Sequence, residues 1–160
     1  MSKWFGKRLA KAFTPMILHN FRTMGSLSKA FYEKYGFEAL PIISRVMGEC
    51  GVEGAKMAQN RLKGGGIRAV SKLFKMYEMF GMPVEMIELT DERIHFRHEP
   101  PCPFGLEGTS KELCEAMEAR EEKMISTILG EEVKVKVIKC VAAGDEYCEV
   151  LYAKRQRKKS

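Results

Sequence analysis

Three cysteines are spaced so that they could bind a metal ion or carry thiol chemistry. Cys140 and Cys148 flank an Ala-Ala-Gly-Asp turn between two strand-like segments, and Cys114 lies on a predicted helix before them. With Gly144 at the centre of the turn, Cys140 and Cys148 would be opposed on neighbouring strands, with Cβ atoms about 4.5–5.5 Å apart. Zinc prefers four tetrahedral sulfur or nitrogen ligands, and these thiolates could supply three. The alternatives are inert, buried thiols that pack as small apolar groups, and a redox-active or nucleophilic thiol.

The fourth zinc ligand would come from a residue near these cysteines. It could be Cys102, in a proline-flanked loop before the helix of Cys114, or else His98, Glu115 or Glu118. Four protein ligands leave no position for water, so such a zinc ion would be structural. With three protein ligands, zinc could lower the pKa of its bound water to about 7 and support hydrolysis.

Aromatic and methionine side chains predict a pocket for a small apolar molecule between helices and strands. The chain has 11 methionines, and this flexible side chain fills irregular gaps or lines adaptable pockets. On the strand around His98, the alternation of apolar and charged residues directs the imidazole inwards. A core without a ligand is the alternative. The predicted ligand-binding residues are Tyr77, Met79, Met86, Phe96, His98 and Phe104.

The elements that would position these residues form an α+β fold. The hydrophobic pattern predicts helices in the first half of the chain, ended by Pro15 and by glycines, at residues 3–13, at about 16–35, and at 38–50, 52–63 and 67–80. Two hairpins follow, with strands at 84–89 and 94–98 and then on each side of Gly144. A helix lies between them, from Thr109, which forms a capping box with Glu112, to residue 129. We therefore expect N-terminal helices packed on a small antiparallel sheet.

Composition predicts one cytoplasmic domain that does not bind nucleic acid specifically. The expected divisions are an amphipathic helical arm at 1–35, a domain at 36–153 and a disordered basic tail at 154–160. The net charge of +6 comes from the two ends, and the segment between them is slightly acidic. No apolar run is long enough for a membrane span, and no signal peptide is visible. The N-terminal helix could contact a membrane, but packing on its own domain is at least as well supported.

The C-terminal hairpin resembles the 4-vinyl reductase domain. The resemblance rests on the glycine that ends the helix, the strand after it, and the pattern Cys140, Gly144-Asp145, Cys148. The wider layout, with Cys102-Pro103 and Leu113-Cys114, is similar to the family of L-2-amino-thiazoline-4-carboxylic acid hydrolase.

This resemblance implies helices packed on a small antiparallel sheet, like those of vesicle-tethering complex subunits, and often a dimer. It also implies a small hydrophobic ligand and a structural zinc ion held by cysteines and a glutamate. The cysteines carry over onto Cys114, Cys140 and Cys148, whereas Val137 occupies the position of the glutamate.

The sequence therefore predicts a sensor-like domain that binds a small hydrophobic or aromatic molecule. It would be a homodimer with structural zinc on Cys102, Cys114, Cys140 and Cys148. One alternative is a hydrolase that opens a C–N bond of a cyclic amidine or thiazoline-type substrate through a thiol or a metal-bound water. The other is a partner-binding scaffold that uses the N-terminal helix and the basic tail.

Overall fold

The computed structural model describes residues 3–62 and 64–154, and the side chains from residue 12 onwards except that of Leu62. Helices occupy the first half of this part of the chain, and strands with one further helix occupy the second, which confirms the predicted α+β class. The elements are α1 (Lys3–Tyr35), α2 (Ala39–Leu62), α3 (Gly66–Met79), β1 (Glu85–Leu89), β2 (Arg93–His98), α4 (Lys111–Leu129), β3 (Val133–Lys139) and β4 (Cys148–Lys154).

The four strands form one antiparallel sheet in the order β1-β2-β4-β3. The two hairpins join where β2 pairs with β4, with Phe96 opposite Val150 and Ile94 opposite Tyr152. All four of these side chains are buried, because every second residue of a strand faces the helices. The period of two in the sequence therefore marks the face of the sheet that carries the core.

Helix α4 lies in the core between α2 and the sheet. Its residues Met117 and Ile125 each belong to a buried cluster that contains residues of α2 and of the strands. The helices α2 and α4 approach each other closely at Gly51, where an added Cβ atom would lie 2.0 Å from the backbone oxygen of Arg120. A glycine is needed at this position because no side chain fits between the two backbones.

Two helix breaks predicted from the sequence are wrong. Helix α1 continues through Pro15, which is exposed, so that water can solvate the carbonyl that loses its partner. Helix α2 continues through Gly51, which serves helix packing and does not end the helix. The break at the glycines is confirmed, since α2 ends at Leu62 and α3 begins at Gly66. The predicted helical residue 63 and the tail beyond Lys154 lie outside the described part of the chain.

The predicted cap of α4 and the predicted pairing of Cys140 with Cys148 both need a correction. The side chain that caps α4 belongs to Ser110, whose Oγ accepts a hydrogen bond from the N–H of Leu113 at 3.2 Å, and not to Thr109. The last pair of β3 and β4 is Lys139 with Glu149, so Cys140 lies beyond the end of the paired strand. A 3₁₀ turn, Val141–Ala143, follows Cys140 directly and interrupts the regular hairpin.

Within residues 3–62 and 64–154, no helix is long and apolar enough to cross a membrane.

Candidate functional site

An apolar pocket lies between the helices and the sheet. It is bounded by α1, α3 and α4, by strands β2 and β4, and by the loop that joins β2 to α4. Its volume is about 100 Å³, and it is partly open to solvent. Most of its lining is aromatic or aliphatic, and five residues contribute phenylalanine or tyrosine rings: Phe21, Phe74, Tyr77, Phe96 and Phe104.

The loop before α4 is held in place by hydrogen bonds and by contact with α1. The N–H of Cys102 donates to Glu107 Oε1 at 2.6 Å, and the N–H of Gly105 donates to the carbonyl of Cys102 at 2.9 Å. On α1, an added Cβ atom at Gly25 would lie 1.8 Å from the oxygen of Phe104, so the helix and the loop touch through their backbones. The ring of Phe104 packs on that of Phe21, with centroids 5.2 Å apart. These contacts place Phe104 against the pocket.

The structure brings four of the six predicted ligand-binding residues to this pocket: Tyr77, Phe96, His98 and Phe104. Met79 does not line it, and 51% of its surface is exposed. Met86 lines a second pocket, between α3 and β1. Helical periodicity explains the difference at Met79, because it lies two positions after Tyr77 and so points to another side of α3.

His98 connects the sheet to the two segments at the mouth of the pocket. Its Nδ1 atom lies 2.8 Å from the carbonyl oxygen of Pro83, and its Nε2 atom lies 3.3 Å from that of Pro101. Since a carbonyl oxygen only accepts hydrogen bonds, a neutral imidazole can satisfy one of them and not both. The closer contact favours a proton on Nδ1, which leaves Nε2 as an acceptor.

Two carboxylates on α4 also line the pocket, and neither is among the ligand-binding residues predicted from the sequence. Glu121 accepts a hydrogen bond from the hydroxyl of Tyr77, at 3.0 Å from Oε1, and pairs with Arg120. Glu118 accepts one from the hydroxyl of Tyr152 at 2.5 Å, and burial raises the pKa of this carboxyl group to about 7. The sequence signal was available, because residues 114, 117, 118, 121 and 125 follow the period of a buried helix face.

Arg120 is the cation of this buried cluster. Its guanidinium lies 4.9 Å from the centre of the Phe21 ring and pairs with Glu121. Burial alone would lower the pKa of Arg120, but the charge of Glu121 raises it above its usual value, so the guanidinium keeps its charge. The Nε atom of Arg120 is buried and has no hydrogen-bond partner among the residues that the structure describes.

Three of the four predicted metal-binding cysteines face the pocket. Cys102, Cys114 and Cys148 line it, and burial raises the pKa of the Cys148 thiol to about 12 and that of Cys102 above its usual value. Cys140 is fully buried and accepts a hydrogen bond from Cys114, which lowers the pKa of Cys140 to about 6 and raises that of Cys114. The thiols that a ligand could touch are therefore weak nucleophiles, since the thiolate is the reactive form.

The arrangement of these cysteines does not fit a closed tetrahedral metal site. In the described part of the chain, no group of three or more His, Cys, Asp or Glu side chains is placed to hold a metal ion. Val137, at the position where the resemblance implies a glutamate, is a buried residue of the core and has no donor atom in its side chain. Structural zinc stays a prediction, which elemental analysis would test.

Comparison with known proteins identifies the fold. The sequence matches no model of a known family and no curated protein. Among solved structures, it is similar to the phenol-responsive sensory domain of the transcription activator PoxR, solved with phenol, with a TM-score of 0.63 and 17% identity over 84% of this chain and 74% of that one.

A second similar structure is a trafficking protein particle complex subunit 3 from Naegleria fowleri, covalently bound to palmitic acid. The TM-score is 0.62, with 12% identity over 97% of this chain and 98% of that one. At these identities the likeness concerns the fold, and the fold of this chain is that of helices packed on a four-stranded antiparallel sheet.

Proposed function

We propose that this chain is a sensor-like domain that binds a small hydrophobic or aromatic molecule in the pocket beside Tyr77 and Phe104. The observation that carries the proposal is the pocket itself, which is apolar, lined by five aromatic rings and already formed. Both similar structures hold a small molecule with an apolar part, phenol in one and palmitic acid in the other, and this supports the proposal.

The size of the pocket limits the ligand to about one ring or a short chain. A dry protein cavity of about 150 Å³ accepts benzene, and this pocket, which is partly open to solvent, measures about 100 Å³. Met82 and Met117 line it, and flexible methionine side chains can move to accept a ring. No observation favours the hydrolase alternative to the same degree, because the thiols in the lining have raised pKa values.

Ligand binding is tested by thermal unfolding with phenol or benzyl alcohol as the probe. A probe at about ten times its Kd stabilises the folded state by about 1.4 kcal/mol. For a chain of this length, that should raise Tm by about 3–6 °C. Val84→Trp should abolish the increase, because Val84 lines the pocket and an indole there would occupy it.

Ile87→Trp is the matched control for this experiment. Ile87 lies on β1 close to Val84, but its side chain is exposed and does not line the pocket. The control should keep the full increase in Tm. If Val84→Trp responds to the probes as the unmodified protein does, the ligand binds elsewhere and the proposed site is wrong.

We further propose that the chain forms a homodimer through a groove between α1 and α2. Apolar side chains of both helices line this groove, among them Leu27 and Val46, which are 68% and 48% exposed. Ile42 extends the same surface and is also exposed. A second copy of the chain would remove these side chains from water, which is favourable by about 25 cal/mol for each Å² of apolar surface.

Val46→Glu should convert the dimer to a monomer, because a symmetric interface would place two unpaired carboxylates in an apolar contact. Light scattering after size exclusion measures the mass directly. Asn60→Glu, at an exposed position of α2 away from the groove, should remain dimeric. A monomeric unmodified protein at about 100 μM would contradict the proposal.

A further inference from the structure

The charged side chains that line the pocket are both acidic. Glu118 and Glu121 reach it from α4, and no lysine or arginine is found in the lining that the described residues form. Arg120 lies next to them but points to Glu121 and to the ring of Phe21. A ligand in this pocket therefore meets carboxylates without meeting a lysine or arginine side chain.

The two carboxylates differ in how many hydrogen bonds and ion pairs they receive from the protein. Glu121 pairs with Arg120 and accepts a hydrogen bond from Tyr77. Glu118 accepts a hydrogen bond from the hydroxyl of Tyr152 at Oε2, whereas its Oε1 atom has no donor among the described residues and is not shut off from solvent. Because Glu118 lines the pocket, a ligand there can donate a hydrogen bond to this oxygen in place of water. Glu118 is thus the group to which a ligand can contribute most.

The aromatic lining, like the carboxylates, favours a ligand with a cationic group. The rings of Tyr77, Phe74 and Phe96 pack edge to face or tilted within the pocket wall, with centroid separations of 5.0–6.1 Å. The face of an aromatic ring carries partial negative charge and attracts ammonium and guanidinium groups. Arg120 already makes this contact with Phe21 inside the protein, which shows that the environment accepts a cation beside a ring.

From this geometry we infer that the ligand is a small organic cation, with one ring or a short apolar chain and one ammonium or amidinium group that binds Glu118. The inference rests on the proposed function, because it concerns the same pocket. The apolar part would fill the space between Phe96 and Phe104, and the cationic group would donate hydrogen bonds to Glu118. An anionic ligand of the same size would be repelled by the carboxylate of Glu118.

Four probes of nearly equal size distinguish a preference for a cation from a preference for a neutral or an anionic ligand. They are benzylammonium, benzyl alcohol, toluene and benzoate. Calorimetric titration of the full chain at pH 7.5 should give at least tenfold tighter binding for benzylammonium than for benzyl alcohol, and no binding of benzoate. Equal or tighter binding of benzyl alcohol or toluene would overturn the cation inference and leave the binding function intact. Binding of none of the four would overturn both.

Glu118→Gln identifies the carboxylate responsible. It should reduce the ratio of benzylammonium to benzyl alcohol affinity to about two or less, because the amide keeps the shape of the side chain and removes its charge. Glu115→Gln removes the same charge from an exposed position on α4, outside the pocket, and should keep the tenfold ratio. If both variants lower the ratio equally, the preference arises from overall charge and the inference is wrong.

Discussion

Gly51→Ala is expected to destabilise the protein more than any other single methyl group added to α2. The new Cβ atom would lie 2.0 Å from the backbone oxygen of Arg120 and 2.9 Å from its carbonyl carbon. Neither atom can move without shifting α4, so the helices must separate or distort. Added atoms in a packed core cost about 1–3 kcal/mol when side chains can adjust, and more when backbone must move. We expect a loss of about 3 kcal/mol or more in the free energy of unfolding, measured by urea denaturation.

Gly48→Ala is the matched control, one turn earlier on the same helix. There the added Cβ atom would lie 3.2 Å from Cγ of Lys123, and a lysine side chain can move aside. Alanine also favours the helix over glycine by about 1 kcal/mol. The control should therefore lie within about 1 kcal/mol of the unmodified protein. Equal effects of the two substitutions would show that α2 and α4 are not in backbone contact at Gly51.

Arg120→Met is expected to cost about 3–5 kcal/mol, the range for removal of one partner from a buried ion pair. The side chains of Arg120 and Glu121 are only 12% and 15% exposed, so the remaining carboxylate would have little solvent to replace the guanidinium. The hydroxyl of Tyr77 would continue to donate to Glu121, but a single neutral donor does not balance a buried charge. Urea denaturation at pH 7 gives the free energy of unfolding.

The double variant Arg120→Met with Glu121→Gln tests this explanation. Because it removes both charges, it should be more stable than Arg120→Met alone, by about 2 kcal/mol. Additive effects of the two substitutions would mean that the pair is not coupled. The loss in Arg120→Met would then come from packing against Phe21.

The sequence predicted the element types well where one periodicity dominates. Residues of β2 and β4 alternate between apolar and polar side chains, so the strands and their buried faces were predictable. The helix breaks predicted at Gly51 and Pro15 are wrong because each of these residues can either end a helix or lie within one. A glycine ends a helix or permits close packing, and only the position of the partner helix decides between them.

The pocket was partly predictable from its aromatic residues. Aromatic residues such as Tyr77 and Phe104 were expected near the junction of helices and sheet, and both line it. Glu118 and Glu121 were not assigned to it, because acidic residues on a helix are usually exposed. Their spacing along α4 follows the period of a buried helix face, and that period is the signal in the sequence that could have placed them.

The place of β4 in the middle of the sheet has a consequence for synthesis on the ribosome. The hairpin of β1 and β2 leaves the ribosome long before β4, which supplies the neighbour of β2. Until β4 arrives, the nascent chain presents an open strand edge and an apolar sheet face, both of which favour aggregation. We therefore expect the pocket to close only after β4 has been synthesised and has paired with β2.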